Sequence, residues 1–491
     1  MSATTDRSKD PIVTTPPARI AMFIDGVWTG GTSGRTEPII DPATGQSLGE
    51  VPIAAREDLD RAVEAASRSF PAWRDTPVDE RGAILHRAAD LIRERLSRIA
   101  WIMTTEEGKL LSQSTAEVIR VAKGIDWDAE DARRLYGRII PVDHDTEMSV
   151  IHQPVGPVAA FTPWNFPAAS PMRKLGGALS AGCTIVLKAS EETPGTACAL
   201  VQCFEEAGVP AGVINLVFGV PAEVSQHLIT SPAIRMVAFT GSIPVGKRLA
   251  QLAGEHMKPS IMELGGHAPV VICRDADPER AGKAVAAAKY VNAGQVCTSP
   301  SRIYAHADIY DAFLDSYSGE SRSLRVGNGL DESSQMGPMA NTRRLAAMDE
   351  LLEDAQERGT SVICGGSRID QPGFFYEPTV LTEVPTEARI MREEPFGPVS
   401  AVLRFDDLND ALAAANSLPY GLAAYGFTGS ADTADVLKRG LEAGIISINH
   451  CGGSVPEAPS GGVKDSGWGR EGGSEGLDGY LITKRISHKL R

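Results

Sequence analysis

A cysteine in a glycine-containing loop is the first candidate for chemistry in this sequence. Cys297 lies in the segment 292–298, Asn-Ala-Gly-Gln-Val-Cys-Thr, which follows a predicted helix. Small and polar neighbours would leave its thiol accessible enough to attack an electrophile as a covalent nucleophile. A cysteine taken alone is more often a core residue, and Cys183 and Cys273, beside apolar runs, fit that interpretation. The assignment of Cys297 therefore depends on the residues that accompany it.

Glu263 and Asn165 could supply the base and the oxyanion donor that such a nucleophile needs. Glu263 lies in an apolar run, 260–264, that is followed by two glycines. Burial there would raise the pKa of its carboxyl group toward a value useful for general-base catalysis. Asn165 lies in the segment 163–167, Pro-Trp-Asn-Phe-Pro, after a predicted strand, where its amide can donate to a developing oxyanion. Each has an ordinary alternative, a structural salt bridge for Glu263 and a turn position for Asn165.

Two further segments could bind a phosphate and a ribose. The segment 239–242, Phe-Thr-Gly-Ser, leads with Gly246 from a strand into a helix, where free backbone N–H groups and the helix dipole favour a phosphate. Lys188 ends a predicted strand and Glu191 follows it, which places a cation and a carboxylate at the edge of the same crevice. The glycine spacing alone is weak evidence, and a solvated ion pair is the alternative for Lys188 and Glu191.

Alternating strands and helices must position these residues. Apolar periodicity predicts an amphipathic helix from 79 to 102, and a second series of strands and helices follows Glu263. This alternation predicts a parallel, doubly wound sheet, which binds nucleotides at its strand ends. The buried strands of the first series are predicted at 158–161, 185–188, 214–218 and 236–240.

Two helices of this series carry clear start and stop signals. Thr193 can cap a helix whose first turn holds Pro194 and whose end is set by Gly208. Asp277 and the proline after it start a second helix, which is predicted to end near Asn292. The loop of Cys297 would then begin directly at the end of that second helix.

Composition narrows the class of protein. The 491 residues include 48 lysines and arginines against 63 aspartates and glutamates, a formal net charge of −15. This balance argues against a general affinity for nucleic acid or an anionic membrane, and no apolar run approaches the roughly 20 residues that cross a bilayer. The seven cysteines form no Cys-x-x-Cys pair, so we expect a reducing cytoplasm and neither disulfides nor a metal site. Residues 1–19 are predicted to be a flexible tail.

In their order along the chain, these segments resemble the NAD(P)-dependent aldehyde dehydrogenase superfamily from about residue 23 to the C-terminus. Within it, Glu-Glu-Thr-Pro at 191–194 and Gly-Val-Lys-Asp-Ser-Gly at 462–467 resemble the succinate-semialdehyde and ketoglutarate-semialdehyde dehydrogenase branch. The matching segments are 163–167, 188–191, 239–242, 263–266, 294–297, 394–398 and 461–467.

The resemblance implies oxidation of an aldehyde to a carboxylic acid through a covalent intermediate. Cys297 would form a thiohemiacetal, and Asn165 with the backbone N–H of Cys297 would hold the oxyanion. Hydride transfer to the nicotinamide would leave a thioester, and Glu263 would activate the water that hydrolyses it. NAD+ is the expected cofactor, with NADP+ as the alternative. The residues expected to bind it are Trp164, Lys188, Glu191, Thr240, Gly241, Ser242, Gly246, Glu394 and Phe396.

The resemblance also implies an α/β fold of three parts. A Rossmann-type NAD(P)-binding domain would comprise residues 20–132 and 154–262, and an α/β catalytic domain residues 263–470. A small β oligomerisation domain would comprise residues 133–153 and 471–491, and the alternating segment 138–153 falls where the family's hairpin belongs. We therefore expect a cytoplasmic homodimer or homotetramer that acts on a small-molecule aldehyde.

Two departures from the branch bear on the substrate. An arginine that grips the distal carboxylate commonly lies six positions before the nucleophile, and Val291 occupies that position here. Many relatives have an aromatic residue before the paired glycines of this region, where this chain has Ser460. Both changes favour a bulkier, less charged aldehyde, such as an aromatic one.

Other residues keep the alternatives open. Arg173 and Arg302 could still supply a cation for a dicarboxylic semialdehyde, and Cys451, in the loop at the mouth of the implied tunnel, could touch the substrate. Succinate- or ketoglutarate-semialdehyde oxidation is therefore the main alternative. A CoA-acylating enzyme would not need Glu263 as a base, and an inert binding protein would not need Cys297.

Overall fold

Alternating strands and helices build two large sheets in the computed structural model, which describes residues 20–452 and 454–490. The predicted flexible tail at residues 1–19 lies outside the described residues. The α-helices of the described ranges are α1 (Arg56–Asp75), α2 (Val78–Glu94), α3 (Leu96–Glu107), α4 (Leu111–Asp131), α5 (Ala169–Ala181), α6 (Pro194–Glu206), α7 (Pro221–Thr230), α8 (Ile243–Glu255), α9 (Pro278–Lys289), α10 (Tyr310–Ser323), α11 (Thr342–Glu357), α12 (Leu408–Asn416) and α13 (Ala431–Gly440).

The strands of the same ranges are two to nine residues long. They are β1 (Met22–Ile24), β2 (Val27–Thr29), β3 (Thr36–Ile40), β4 (Ser47–Pro52), β5 (Arg138–Asp143), β6 (Thr146–Pro154), β7 (Val158–Phe161), β8 (Ile185–Lys188), β9 (Ile214–Val217), β10 (Met236–Gly241), β11 (Ser260–Leu264), β12 (Pro269–Ile272), β13 (Arg302–His306), β14 (Ser361–Cys364), β15 (Thr379–Thr382), β16 (Val399–Phe405), β17 (Ala423–Phe427), β18 (Ile445–Ile448), β19 (Gly467–Trp468) and β20 (Leu481–Lys489).

The first large sheet has eight strands in the order β19-β11-β10-β7-β8-β9-β1-β2. Its central strands, from β11 to β9, are parallel, which confirms the predicted doubly wound core. The chain order reverses between β7 and β10, because β8 and β9 continue on one side and β11 on the other. Strands that diverge in this way leave a crevice at their carboxyl ends, where ligands of such sheets bind.

The helix predicted from 79 to 102 is wrong as a single element. It consists of α2 and α3, which are separated by Arg95 with φ of −105° and ψ of 14°. Both helices bury their apolar faces, so the spacing of Leu85, Ala88 and Ile92 continues through Ile99 although the axis breaks. Apolar spacing alone therefore does not reveal the break.

The start of α6 is held by a residue from another helix. Thr193 and Pro194 take their predicted positions, but within the described ranges the Thr193 side chain makes no capping hydrogen bond. The buried carboxylate of Glu106, in α3, instead accepts hydrogen bonds from the backbone N–H groups of Gly195 at 2.6 Å and Thr196 at 3.0 Å. A carboxylate at this end of a helix also interacts favourably with the helix dipole. The capping role predicted for Thr193 is therefore wrong.

The second large sheet has seven strands in the order β14-β15-β16-β13-β12-β17-β18. All its pairs are parallel except β14 with β15. Asp277 caps α9 as predicted, accepting a hydrogen bond from the backbone N–H of Arg280, but α9 ends at Lys289 instead of near Asn292. Residues 265–268 connect β11 of the first sheet to β12 of the second. The active-site candidates Glu263 and Cys297 thus lie on either side of this connection.

A third, three-stranded antiparallel sheet has the order β20-β6-β5. Strands β5 and β6 form the hairpin that the sequence predicts at 138–153. The C-terminal strand β20 pairs along the full length of β6. Apolar side chains on the two edge strands are exposed, including Ile139, Val142, Ile482 and Ile486. The use of this sheet in oligomerisation and the boundaries of the three domains stay predictions.

Two kinds of feature are absent from the part of the chain that the structure describes. None of its helices is both long and apolar enough to span a membrane. Nor do its His, Cys, Asp and Glu side chains gather in a group of three or more that could hold a metal ion.

Candidate active site

Cys297 lies in a strained loop between α9 and β13. Asn292 and Ala293, in the 3-10 turn Val291–Gly294, both have left-handed backbone angles with φ of 51°. Such angles cost residues other than glycine on the order of 1–3 kcal/mol each, so surrounding contacts must hold them. Gly294 has φ of 74°, and a Cβ there would lie 2.1 Å from the backbone oxygen of Gly397. The loop therefore requires glycine at this position and fixes the half-buried Cys297 three residues later.

A buried hydrogen-bond network joins this loop to Asn165. The Nδ2 of Asn165 donates to the backbone oxygen of Gln295 at 3.0 Å, which uses one of its two amide hydrogens. In return, Nδ2 of Asn292 donates to the backbone oxygen of Asn165 at 3.0 Å. The side chain of Gln295 closes the network by donating to the backbone oxygen of Asn292 at 3.1 Å. The network thereby joins Asn165 to the loop that carries Cys297.

Glu263 is the penultimate residue of β11 and lies in register with Thr240 of β10. Its side chain is buried, and its Oε1 has no hydrogen-bond partner among the described residues. Burial, together with the nearby negative charge of Glu471, raises the pKa of Glu263 to about 8, although Lys174 and Arg173 oppose the shift. The burial expected from the sequence is confirmed, and the carboxyl group titrates in the range of a general base.

The surroundings of the Cys297 thiol raise its pKa. Burial first, and then the charges of Glu394 and Glu263, raise its pKa to about 12, while the charge of Arg173 lowers it. Because the thiolate is the nucleophile, attack requires a group that removes this proton. The buried carboxylates near Cys297 are the candidates for that task.

Glu471 and Lys174 form a buried ion pair close to Glu263 and Thr240. Lys174 is fully buried, and its Nζ donates to the carboxylate of Glu471 and to the hydroxyl of Thr240. The backbone of Glu471 pairs with that of Ser460 in both directions, at 2.8 and 2.9 Å. Lys174 and Glu471, whose charges affect the pKa of Glu263, are thus bonded both to the first sheet and to the segment that holds Ser460.

A cleft of about 1330 Å³ opens at the carboxyl ends of β7, β8 and β10. Lys188 lies 2.6 Å from the carboxylate of Glu191, which also accepts a hydrogen bond from the backbone N–H of Gly219 at 2.8 Å. Lys188 is only 6% exposed, so the pair is not a solvated one. Other cleft residues predicted from the sequence are Trp164, Thr240, Gly241 and Ser242.

The first turn of α8 faces this cleft. Ser242 is the N-cap residue of α8, and within the described residues its side chain forms no capping hydrogen bond. Backbone N–H groups at such a helix start favour an anion. Gly246 has a packing role, because a Cβ there would lie 2.3 Å from Cδ2 of Leu264 in β11. This glycine lets the helix approach the sheet closely, as in other dinucleotide-binding folds.

Glu394 and Phe396 lie close to Trp164 and to the connection between the two sheets. The rings of Phe396 and Trp164 meet edge to face, with centroids 5.6 Å apart. Arg344 lies 5.7 Å from the Phe396 ring centroid and donates to the backbone oxygen of Phe396 at 3.2 Å. Glu394 accepts a weak hydrogen bond from the backbone N–H of Gly266 at 3.3 Å, and burial raises its pKa to about 8. Six of the nine predicted cofactor residues therefore line the cleft, while Gly246 packs against β11 and Glu394 and Phe396 contact Gly266 and Trp164.

Arg173 is the cation of this site. Its Nη2 donates to the hydroxyl of Ser454 at 2.8 Å, and Nη1 lies 3.9 Å from the carboxylate of Glu471. A quarter of the side chain is exposed. Its charge lowers the pKa values of both Cys297 and Glu263, so it acts on both candidate catalytic groups.

Cys451 shares a neighbour with Cys297. Both thiols act electrostatically on the Tyr425 hydroxyl, which donates to the backbone oxygen of Thr298 at 2.7 Å. Cys451 is half-buried, and burial raises its pKa to about 12. Val291, in the turn before Cys297, is also half-buried, as is Ser460. The structure thus places four of the five predicted substrate residues near Cys297 or near the loop at residues 450–460. These four are Arg173, Val291, Cys451 and Ser460.

Arg302 is the exception, and its predicted role at the substrate is wrong. It lies in β13 with 2% of its surface exposed. Its guanidinium donates to the backbone oxygens of His267 at 3.0 Å, Ala414 at 3.1 Å and Ala415 at 3.0 Å. A buried cation needs such partners, and here they tie β13 to α12. The Arg302 donors are therefore committed to the fold.

Comparison with known proteins decides the family. The model of the aldehyde dehydrogenase family matches residues 28–486, which include every residue of the site described above. The chain belongs to the aldehyde dehydrogenase family. It is an NAD(P)-dependent oxidoreductase that acts on aldehydes, as the sequence resemblance implies.

This aldehyde dehydrogenase is similar to enzymes with different named substrates. It is 46% identical to 4-(hydroxymethyl)benzenesulfonate dehydrogenase TsaD1 of Comamonas testosteroni, over 94% of this chain and 97% of that protein. It is 40% identical to the NADP+-dependent succinate-semialdehyde dehydrogenase GabD of Escherichia coli, over 95% and 97%. The NAD+ complex of an aldehyde dehydrogenase from Bacillus cereus matches it with a TM-score of 0.94 at 34% identity, covering 96% and 97%.

The cleft of this aldehyde dehydrogenase fits a nicotinamide dinucleotide. It offers the carboxylate of Glu191 for ribose hydroxyls and the start of α8 for a phosphate, at the point where the strand order reverses. Its volume of about 1330 Å³ exceeds the ~300–1,000 Å³ typical of small-ligand pockets.

Sequence reasoning missed the charged residues that hold the candidate catalytic groups of this aldehyde dehydrogenase. Lys109, Lys174 and Glu471 are buried and bond to predicted site residues or to their neighbours. The sequence does contain a signal for Lys174, because this residue interrupts the apolar run of α5. A lysine at such a buried position is almost always paired, so its presence indicates a buried ionic partner. Lys109 lies between two helices, where an exposed lysine is ordinary, so its local pattern carries no such signal.

Proposed function

We propose that this aldehyde dehydrogenase oxidises an aromatic aldehyde bearing an anionic group, such as a sulfonate, to the carboxylic acid. The observation that carries the chemistry is the half-buried Cys297 thiol, joined through its loop to the Asn165 amide and electrostatically coupled to the buried Glu263. Nucleophile, oxyanion donor and base are the parts that acyl chemistry needs.

Cys297 would begin the reaction by attacking the aldehyde carbon. The new C–S bond places negative charge on the former carbonyl oxygen, and the Asn165 amide with the Cys297 backbone N–H would donate to it. Donors already fixed by the fold stabilise such an oxyanion without reorganisation. The hydrogen bond from Asn165 to Gln295 fixes this amide before a substrate arrives.

The cofactor, when bound, accepts the hydride that leaves the aldehyde carbon, and the acyl group remains on Cys297 as a thioester. Lys188 and Glu191 would hold the adenosine ribose, while Ser242 and Trp164 would meet the pyrophosphate. Glu394 and Phe396 would position the nicotinamide ribose, which the contact of the Phe396 ring with Trp164 supports.

Glu263 would then remove a proton from the water that hydrolyses the thioester. A pKa raised to about 8 by burial makes the ionised carboxylate a stronger base than an exposed glutamate. A CoA-acylating enzyme would not need this base, so the buried Glu263 favours release of a free acid.

Arg173 supports the choice of an anionic aromatic substrate. It is the partly exposed cation near Cys297, whereas Arg302 is committed to the fold and Val291 supplies no charge. One relative's name specifies a benzenesulfonate, and it is more similar to this chain than the succinate-semialdehyde relative described above. Succinate or ketoglutarate semialdehyde remains the alternative, because the same arginine could bind a carboxylate.

Glu191 supports a preference for NAD+ over NADP+. Its carboxylate lines the cleft and would accept hydrogen bonds from ribose hydroxyls while repelling a 2′-phosphate. The ratio of kcat/KM for the two cofactors measures this preference, and a higher value with NADP+ would contradict it.

We further propose a cytoplasmic homodimer or homotetramer assembled through the sheet β20-β6-β5. Edge strands with exposed apolar side chains support an interface there, since exposed sheet edges readily pair with another chain. Seven free cysteines fit a reducing compartment.

A substrate panel tests the proposal. Initial rates of NADH formation would be measured with 4-formylbenzenesulfonate, benzaldehyde and succinate semialdehyde, each with and without CoA. We expect the highest kcat/KM for the sulfonated aldehyde and no acceleration by CoA. A preference for succinate semialdehyde would favour the alternative, and CoA-dependent turnover would contradict hydrolysis by water.

A further inference from the structure

Lys109 is a buried cation that the proposed reaction does not use. Only 1% of it is exposed, and its Nζ donates to Glu117 Oε2 at 2.8 Å and to the backbone oxygen of Asn165 at 2.7 Å. The ammonium also lies 4.3 Å from the centroid of the Phe166 ring. A buried ammonium is stable only with such partners, and one of them here is the main chain of the proposed oxyanion donor.

Asn165 is consequently held at both ends. Its backbone oxygen accepts from Lys109 and from Nδ2 of Asn292, while its own Nδ2 donates to the backbone oxygen of Gln295. Two donors on one carbonyl oxygen fix the plane of the peptide between residues 165 and 166. Displacement of that peptide would also displace the Asn165 Cα, and with it the amide that bonds to the Cys297 loop.

Glu117 connects Lys109 to the start of α5. Its Oε2 pairs with Lys109, and its Oε1 accepts from the backbone N–H groups of Ala168 at 3.0 Å and Ala169 at 2.9 Å. The pair therefore bonds to the backbone on both sides of the turn between Asn165 and α5. A charge-assisted network of this kind restrains the turn more strongly than neutral hydrogen bonds would.

We propose that Lys109 is a positioning residue for aldehyde oxidation, acting through the backbone oxygen of Asn165 to hold its amide at the oxyanion. This inference rests on the proposed oxyanion role of Asn165. A misplacement of about 1 Å in a catalytic group can lower a rate about 100-fold, so loss of Lys109 should slow the chemistry.

A double-mutant comparison tests the inference. Lys109→Met alone would leave Glu117 as an unpaired buried charge, so the test variant is Lys109→Met/Glu117→Gln, whose glutamine keeps the acceptor for Ala168 and Ala169. We expect kcat to fall about 10- to 100-fold, with the KM of the aldehyde and the Kd of NAD+ changed less than about 3-fold. In an Asn165→Ala background the same pair should cost less than about 2-fold, because the amide that Lys109 positions is gone.

Three control variants separate positioning from stability. Glu117→Gln alone keeps the contact of Lys109 with Asn165 but removes the charge that pairs with the ammonium, so its Tm should fall while its kcat stays above that of the double variant. Lys109→Gln/Glu117→Gln keeps an N–H donor at residue 109 without an unpaired charge and should give a kcat between those of wild type and the methionine double variant. Lys123→Met removes an exposed lysine from α4 and should change neither kcat nor Tm. Rates are compared at a temperature well below the Tm of every variant, so that each one is folded.

Several outcomes would overturn the inference. Equal losses in the wild-type and Asn165→Ala backgrounds would show that Lys109 does not act through this amide, as would an unchanged kcat or a change in KM alone. A loss with Glu117→Gln as large as that of the double variant would assign the effect to the ion pair. Full activity of Asn165→Ala would instead refute the oxyanion role itself, which distinguishes the two failures.

Discussion

The network around Asn165 and the loop at residues 450–460 both border the candidate site, but they are built differently. Asn165, Asn292 and Gln295 are buried, and each bonds to the backbone of another member. The side chains of the loop, described except for residue 453, are mostly exposed or half-buried. Its contact with Arg173 is a single hydrogen bond, from the guanidinium to Ser454.

This difference separates two tasks of the enzyme. Groups that stabilise a transition state must be held to within about 0.5 Å, which needs buried partners on several elements. Groups that recognise the rest of the substrate can lie on an exposed loop, where substitutions disturb little of the core. Substitutions in the network should therefore slow the oxidation of every aldehyde, and substitutions near the loop should change the ratio between aldehydes.

Removal of the nucleophile should give the largest effect. Cys297→Ala should lower kcat at least ~10³-fold for every aldehyde, because the covalent intermediate cannot form. NAD+ binding and Tm should stay near wild type, since the substitution removes a single sulfur atom and leaves the proposed dinucleotide residues in place. Steady-state rates and cofactor titration measure this. Residual activity above about a thousandth of wild type would refute the assignment.

Loss of the base should give the next largest effect. Glu263→Gln should lower steady-state kcat about 10²–10⁴-fold while a burst of about one NADH per site precedes it, because acylation continues and hydrolysis stalls. Wild-type hydrolysis should rise as the pH increases through about 8, the pKa of Glu263, since only the ionised carboxylate takes the proton from water. The variant should lack this rise. A missing burst would show that Glu263 also activates Cys297.

Arg173→Met should change selectivity more than rate. A hydrogen-bonded charge is typically worth ~1.5–3 kcal/mol, so kcat/KM for 4-formylbenzenesulfonate relative to benzaldehyde should fall about 10- to 100-fold. The ratio matters because Arg173 also lowers the pKa values of Cys297 and Glu263, and its loss should slow both substrates. An unchanged ratio would place the anionic group elsewhere.

Val291→Arg should have the smallest effect. An arginine in the turn before Cys297 would offer a second cation, and kcat/KM for succinate semialdehyde relative to benzaldehyde should rise about 10-fold. Val291→Met adds bulk without charge and should not raise this ratio. If both variants raise it equally, shape and not charge distinguishes the substrates at this position.

Much of the fold could be predicted because the relevant signals are local. The strands β7 and β8 have their predicted bounds, since short apolar runs between glycines and polar residues leave little freedom of assignment. Asp277 caps α9 as expected, because an N-cap bond joins residues only three positions apart. Glu263 could be recognised because a carboxylate inside a buried strand is unusual.

What could not be predicted depends on residues far apart in the sequence. The α6 cap comes from Glu106, 89 residues before Gly195, whereas local patterns favour the nearer Thr193. Arg302 carries a charge that suggests a substrate contact, and only the positions of His267, Ala414 and Ala415 show that its donors are occupied. Lys109 contacts a residue 56 positions later. Such pairings follow from packing in three dimensions, which local patterns do not specify.

The connection between α3 and α4 is only three residues long, yet it joins two distant parts of the protein. Just before it Glu106 holds the first turn of α6, and within it Lys109 holds Asn165. Connections between helices are usually where a chain tolerates a protease cut, a circular permutation or an inserted tag. Here Gly108, with φ of 95°, packs against Pro338, so an inserted tag would push both anchors apart. A split or permuted version of this enzyme should therefore be opened elsewhere.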